Sequence, residues 1–286
     1  SNAPWIPSGY GCQTALFAPR LASLGHDVAI SAFCGIAGTR TMYEGLLVYP
    51  AGSEPYGGDV LAGHAADWKA DLVITLMDAW VLSGSMLRDM PARVACWMPV
   101  DCAPLSLLDR QVLEASGATP VAMSGFGRKQ LTEAGFKPLY VPHGIDLSVF
   151  TPRDKRAARE KLGLPQDAYV IGVNAQNLDA IRKAWPEQMT AFAVFRKKHP
   201  EALLLVHTQA DGFGTGTDLR ELASRLCISD AVKWTSPYLY ATGNTSAEEM
   251  SWWYACCDLY SGASYAEGFG LPLLEAMLPR NAYAGG

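Results

Sequence analysis

Short apolar runs alternate with amphipathic stretches along the first half of the chain. Nearly continuous apolar runs predict strands at residues 28–33, 46–49, 72–76, 94–98, 121–124 and 139–141, with helices over 14–24 and 127–134. This alternation is typical of parallel βαβ units, whose strands are covered by helices on both faces.

A polar, charged segment at residues 147–165 separates this series from a second one and predicts a linker with a short helix. The second series predicts strands at 169–173, 203–207, 232–234 and 259–263, and helices over 185–198, 219–226 and 246–257. We therefore expect an α/β fold of two Rossmann-like domains, residues 1–147 and 148–286. Ligands of such sheets bind beyond the carboxyl ends of the strands.

The most specific motif is a pair of carboxylates, Glu267 and Glu275, with seven residues between them. Gly268 and Gly270 leave backbone N–H groups uncovered, and Pro272 suits the first turn of a helix, where its missing N–H is no loss. A glycine-lined helix start attracts anions, whereas carboxylates accept hydrogen bonds from sugar or ribose hydroxyls. Together these features predict a pocket for a sugar joined to a diphosphate. The alternative is an exposed loop rich in Gly and Glu.

Two further elements fit such a ligand. Arg182 and Lys183 fall between the first strand and first helix of the second domain, where two cations could neutralise a diphosphate leaving group; alone, they could equally be a solvated pair. Gly9, Tyr10 and Gly11 precede a helix but do not complete the dinucleotide fingerprint. We interpret them as a loop that approaches a sugar or phosphate, or as an ordinary turn, and no convincing strand precedes them.

Several polar residues after predicted strands admit two interpretations. Asp101 could bind sugar hydroxyls, transfer a proton, or cap a turn. His207 is as consistent with a core histidine as with a ligand contact, and Asp146, beside His143, fits a structural turn. The glycine-rich residues 212–216 lack the Lys-Ser/Thr ending of a P-loop and predict a surface loop.

Composition narrows the function classes. The net charge of −5 argues against a broad nucleic-acid surface. No apolar run approaches the roughly 18 residues of a membrane span. The seven cysteines form no C-x-x-C pair and no metal-ligand spacing with the histidines. We therefore expect no metal site and a reducing cytoplasm, with peripheral attachment to a membrane left open.

Four stretches together resemble family 4 glycosyltransferases, which are retaining, nucleotide-sugar-dependent enzymes of the GT-B superfamily. These stretches are residues 8–11 with 24–28, residues 141–146 with Phe150, the pair at 182–183, and the E-x7-E motif at 267–275. The resemblance covers nearly the whole chain. It implies two domains facing across a cleft, with the acceptor mainly on the first and the donor mainly on the second.

The resemblance also implies residue roles. Glu275 would hold the ribose hydroxyls, and Arg182 and Lys183 would stabilise the departing diphosphate. The sugar would face Glu267 and the backbone of the residues that follow it, Gly268, Phe269, Gly270 and Leu271. Catalysis in the family generally needs no bound metal. Where many members carry a histidine near the sugar, the comparable loop here offers Asp101.

The leading hypothesis is transfer of a hexose from a nucleotide diphosphate sugar to a sugar, lipid or protein acceptor. Family members normally have a strand before the glycine loop and further strand–helix units after the second Glu, so we expect a truncation at both ends, with an incomplete second domain. A second hypothesis is accordingly a weakly active or inactive sugar- or nucleotide-binding protein, completed by a partner or by self-association through exposed sheet edges. An NAD-dependent Rossmann enzyme is disfavoured because the dinucleotide fingerprint is absent.

Overall fold

A computed structural model describes residues 1–212 and 214–279 of the chain. Phe213, within the predicted surface loop, and the tail 280–286 lie outside the described residues. The chain divides into two compact units. The first comprises Ser1–Gly144 with Glu267–Phe269, and the second comprises Ile145–Ala266 with the chain from Gly270 onwards.

The first unit contains two sheets. Its elements in chain order are α1 (Gly9–Ser23), β1 (Ala29–Ser31), β2 (Thr41–Tyr43), β3 (Leu46–Tyr49), α2 (Gly58–Trp68), β4 (Leu72–Leu76), α3 (Gly84–Arg88), β5 (Arg93–Met98), α4 (Leu107–Ser116), β6 (Thr119–Ala122), α5 (Gly125–Glu133) and β7 (Leu139–Tyr140). One sheet has the order β1-β3-β2, in which β2 is antiparallel to β3, and the other is parallel with the order β4-β5-β6-β7. Before α1, the described residues contain a single isolated bridge, between Asn2 and Cys34, and no strand.

The central strand β5 is buried on both faces, as its continuous apolar run predicts. Val94, Cys96 and Met98 belong to one core cluster, while Ala95 and Trp97 belong to another. Because successive side chains of a strand point to opposite faces, this division places a core on each side of the sheet.

Helix α1 begins at Gly9, five residues before the start predicted from the sequence. Ser8 caps it, since its hydroxyl accepts a hydrogen bond from the N–H of Gly11 at 3.1 Å. A Cβ on Gly11 would stand 2.1 Å from the carbonyl oxygen of Ile6, so the close approach of these backbones requires glycine here. Pro19 lies inside the helix, which continues to Ser23.

The second unit is built on one parallel sheet. Its elements are α6 (Lys155–Lys161), β8 (Tyr169–Asn174), α7 (Trp185–Arg196), β9 (Ala202–His207), α8 (Leu219–Arg225), β10 (Val232–Trp234), α9 (Pro237–Thr242), α10 (Ala247–Ala255), β11 (Leu259–Tyr260) and α11 (Leu271–Met277). The strand order is β10-β9-β8-β11. Helix α6 is the short helix expected in the linker, and α10 opens with the capping box of Ser246 and Glu249.

A buried ion pair anchors the start of β11. Arg159 on α6 donates from Nη2 to Oδ2 of Asp258 at 2.5 Å and from Nε to the carbonyl of Cys256 at 3.2 Å. The same Oδ2 accepts the N–H of Val170 on β8 at 2.8 Å, and Lys155 contacts the other carboxylate oxygen. Burial alone would raise the pKa of Asp258, but the hydrogen bonds from Lys155 and Val170 and the charge of Arg159 lower it overall.

Replacing Arg159 with methionine should lower the free energy of unfolding by about 3 kcal/mol, because the Asp258 charge then loses its most buried partner. Since the folded-state pKa of Asp258 lies below its unfolded value, the pair stabilises the fold at neutral pH. This contribution should fade as the pH falls below about 4. Urea unfolding at pH 7 and at acidic pH measures both effects. Arg156→Met, on an exposed part of the same helix, is the matched control and should change little. Equal losses for the two variants would contradict the anchoring role.

Candidate functional site

The order of strands in the second unit reverses between β8 and β11. After β8, the strands β9 and β10 are added on one side of it, whereas β11 pairs with β8 on the other side. In this pairing Leu259 lies opposite Ile171, and Tyr260 lies opposite Gly172. Open α/β sheets bind ligands outside the carboxyl ends of the strands at such a reversal. The loop after β8 carries Arg182 and Lys183, and the loop after β11 leads to Glu267.

A buried glutamine joins these two loops. Gln188 on α7 is 8% exposed, and its Nε2 donates to the carbonyl of Lys183 at 2.9 Å and to the carbonyl of Ala263 at 3.1 Å. Its Oε1 accepts from the hydroxyl of Ser261 at 2.7 Å. Both amide protons and the oxygen therefore have partners, and the side chain links the backbone of both loops. The sequence alone did not single out Gln188.

The backbone of Arg182 is held from two sides. Its carbonyl accepts hydrogen bonds from the N–H of Tyr265 and from the hydroxyl of Ser264, each at 2.9 Å. Its N–H donates to Asp179 at 2.6 Å, and the guanidinium Nε lies 3.6 Å from the other oxygen of Asp179. The hydrogen bond from the Arg182 N–H is the main reason that the pKa of Asp179 is lowered. Ala184 then adopts a left-handed φ of 48° as the N-cap of α7.

Glu275 lies on α11 as the sequence suggested. Gly270, with φ 85°, is the N-cap, and Pro272 occupies the first turn. The hydroxyl of Tyr254 donates to Oε2 of Glu275 at 2.8 Å. Burial raises the pKa of Glu275, and the hydrogen bond from Tyr254 opposes that shift. A half-buried carboxylate at this edge of the sheet is a strong acceptor for ligand hydroxyls.

The segment Glu267–Phe269 groups with the first unit. A Cβ on Gly268 would stand 2.3 Å from Cβ of Pro99, so glycine is required at this approach. The ring of Phe269 lies 5.2 Å from the ring of His143, which in turn lies 4.8 Å from Trp97. His143 is 7% exposed, and burial lowers its pKa to about 4, which leaves the ring neutral at physiological pH.

The predicted glycine loop of the first unit is helical. Gly9, Tyr10 and Gly11 form the first turn of α1, so the interpretation as a loop is wrong. The cause is the Ser8 cap, which already takes the N–H of Gly11. The hydroxyl of Tyr10 donates to Asp78, shortly after β4, at 3.0 Å. Asp101 is exposed and follows β5.

The remaining candidates have structural partners. Nδ1 of His207 lies 2.9 Å from the hydroxyl of Thr235, and burial lowers the pKa of the histidine to about 4. Oδ1 of Asp146 accepts from both the N–H and the hydroxyl of Ser148, which is the structural turn expected there.

Comparison with known proteins points to glycosyltransferases. The chain is 37% identical over 146 residues to a D-inositol 3-phosphate glycosyltransferase of Stackebrandtia nassauensis, covering 49% of this chain and 31% of the relative. It is 34% identical over 178 residues to the protein of that name from a Nocardioides species, covering 59% and 38%. The matches thus span about a third of these relatives' length. No protein-family model matches.

Solved structures with the same fold cover nearly the whole chain. A sucrose-phosphate synthase from Thermosynechococcus elongatus superposes with a TM-score of 0.73 at 18% identity, covering 94% of this chain and 73% of its own. An E. coli trehalose-6-phosphate protein bound with UDP-2-fluoro glucose gives a TM-score of 0.68 at 12% identity, covering 98% and 81%. The fold is therefore of the GT-B type, as the sequence predicted.

The Gln188 link predicts a coupled loosening of two loops. Gln188→Leu would leave the carbonyls of Lys183 and Ala263 without their donors, which costs about 1–3 kcal/mol each where they stay buried. Amide hydrogen exchange should therefore speed up in both residues 179–184 and residues 261–265. Gln176→Leu, at an exposed side chain of the same loop, should leave exchange unchanged. Faster exchange in only one segment would refute the link.

The raised pKa of Glu275 predicts a pH-dependent cost in stability. The folded state binds the proton of the Glu275 carboxyl group more tightly than the unfolded state does. Protonation of Glu275 therefore stabilises the fold fully at low pH, and this contribution is lost as the pH rises through the folded-state pKa. Glu275→Gln keeps an acceptor for Tyr254 but removes the charge, so it should raise the melting temperature at pH 7 and converge with the wild type at pH 4. Calorimetric scans across this range measure the difference. A variant less stable than the wild type at pH 7 would contradict it.

Proposed function

We propose that this chain carries the nucleotide-sugar site of a retaining glycosyltransferase, which transfers a hexose from a nucleotide diphosphate sugar to an acceptor. The observation that supports this most is the pair of loops at the carboxyl ends of β8 and β11. Gln188 ties together the loops that carry Arg182 and lead to Glu267, and a half-buried carboxylate, Glu275, follows on α11. A cationic loop beside an acceptor of hydroxyl hydrogen bonds suits a ligand with both phosphates and a ribose.

Each part of the donor would then have a separate partner. Glu275 would accept hydrogen bonds from the ribose hydroxyls. Arg182 and Lys183 would neutralise the diphosphate as its bond to the anomeric carbon breaks, which lowers the barrier because the charge develops in the transition state. Glu267 and the backbone from Gly268 to Leu271 would face the sugar.

The acceptor hydroxyl would attack the anomeric carbon on the face from which the diphosphate departs, so configuration is retained without an enzyme nucleophile. Asp101 is an exposed carboxylate that could orient or deprotonate that hydroxyl. His207 would line the donor side. The protein cations can balance the leaving group, so we expect turnover without an added divalent metal. The relatives' name makes a polyol phosphate the first acceptor to try, ahead of lipid and protein hydroxyls.

A second candidate is a protein that binds nucleotide sugars but turns them over only when a partner or a second copy completes it. The observation that favours this alternative is an open sheet edge in the first unit, where β7 is the outermost strand. The edge strand β7, whose two residues are both exposed, offers a place for added strands. Binding without turnover, together with a light-scattering mass above that of one chain, would select it.

A donor panel tests the leading proposal. UDP-, GDP- and ADP-sugars are compared by thermal shift and by transfer to the acceptors named above, with and without EDTA. At least one donor should stabilise the protein and be turned over. Lys183→Ala should lower kcat by about 100-fold, because it removes a cation from the departing charge. Glu275→Ala should weaken donor binding. Lys197→Ala, at the far end of α7, is the matched control and should behave as the wild type. No shift and no turnover with any donor would refute the proposal.

A further inference from the structure

A row of hydrogen-bonded polar groups, with the buried Tyr254 at its centre, leads from the end of β8 to Glu275. Nδ2 of Asn174, the last residue of β8, donates to the hydroxyl of Tyr254 at 2.7 Å. The hydroxyl of Tyr254, on α10, donates in turn to Oε2 of Glu275 at 2.8 Å. Because a phenol has one proton, accepting from the amide leaves that proton for the carboxylate. The row therefore has a fixed direction that ends on Glu275.

The ring of Tyr254 is held in place by its surroundings. Tyr254 is 0% exposed, and its ring centroid lies 5.2 Å from Trp253, 5.5 Å from Tyr260 and 6.3 Å from Phe150. These aromatic neighbours leave the hydroxyl no alternative position in the packed core. The hydroxyl is thus a rigid donor aimed at one oxygen of the carboxylate.

We propose that Tyr254 is a positioning residue for nucleotide recognition, which holds Glu275 so that the site discriminates ribose from 2′-deoxyribose. This inference rests on the proposed function, in which Glu275 accepts hydrogen bonds from the ribose hydroxyls. Tyr254 itself lies in the core and acts through Glu275.

The physical reason is the geometry that a vicinal diol demands. Two neighbouring hydroxyls bind a carboxylate well only when its plane is fixed, and a free glutamate side chain would lose rotamer freedom on binding. The hydrogen bond on Oε2 sets that plane before the ligand arrives. Among the residues that the structure describes, Tyr254 is the one that donates a hydrogen bond to Glu275. The remaining lone pairs of the carboxylate are therefore left for ligand hydroxyls. Loss of the Tyr254 hydroxyl should therefore reduce the preference for ribose and hardly affect ligands that lack the 2′-hydroxyl.

The test is equilibrium binding, by calorimetry, of UDP, GDP and ADP and of their 2′-deoxy forms. The wild type should prefer the ribose form of the diphosphate that it binds. Tyr254→Phe should lower that preference roughly tenfold, the size expected for a hydrogen bond to a charged group. Affinity for the 2′-deoxy form should stay within about twofold. Tyr260→Phe is the matched control, because it removes a neighbouring hydroxyl that donates to the carbonyl of Asn174; it should keep the preference.

A double-mutant cycle separates positioning from a merely structural role. In the Glu275→Ala background, Tyr254→Phe should have no further effect on the preference for ribose. A preference that depends on Glu275 but is unchanged by Tyr254→Phe would overturn this inference and leave the proposed function standing. A wild type that binds none of the diphosphates would overturn both. If Tyr254→Phe does not fold, Asn174→Asp decides, since it keeps the phenol but replaces the amide donor with an acceptor that competes with Glu275 for the single phenol proton. A reduced preference supports the inference, and an unchanged one overturns it.

Discussion

The pairing of β11 with β8 is the contact on which the second unit's site depends, although β11 is only two residues long. Two backbone hydrogen bonds extend the pairing, from the N–H of Asp258 to the carbonyl of Val170 and from the N–H of Ser261 to the carbonyl of Gly172, each at 2.8 Å. The strand is fastened at both ends by buried polar side chains, Arg159 before it and Gln188 after it. So short a strand gains little from its own ladder. The position of the loop that follows is set by these two side chains.

Strands were the most predictable part of the fold, because a parallel strand that is buried on both faces has an unbroken run of apolar residues in the sequence. The strands β3, β4 and β10 have the predicted bounds. The strand predicted at 259–263 ends at Tyr260, because the residues after it turn to meet Gln188. Helix α4 was not predicted. Its first residues, Leu107 and Leu108, are exposed, so its apolar positions do not mark the buried face.

Candidate site residues were predictable where chemistry and chain position agree. A carboxylate, a glycine pair and a proline in one short stretch predicted a helix start, and Glu275 lies on a helix that has Gly270 as its N-cap and Pro272 in its first turn. Gln188 and Tyr254 carried no such signal. The role of a glutamine or tyrosine in a helix depends on hydrogen-bond partners that are far away in the sequence. Gly11 was misread for a related reason. The steric demand on it comes from the backbone of Ile6, and spacing within a motif does not reveal a close approach of that kind.

Asp179 changes what the cationic loop offers to a ligand. Its carboxylate accepts the N–H of Arg182 and lies within ion-pair distance of the guanidinium, at 3.6 Å, with both side chains partly exposed. Arg182 therefore carries an internal counter-ion. An arriving phosphate would have to take the place of that carboxylate, and the carboxylate would recapture the arginine once the phosphate leaves. In the phosphate-binding role proposed for this loop, such a counter-ion would favour release of the anion, and the energy gained on binding would be smaller than that from a guanidinium without a counter-ion.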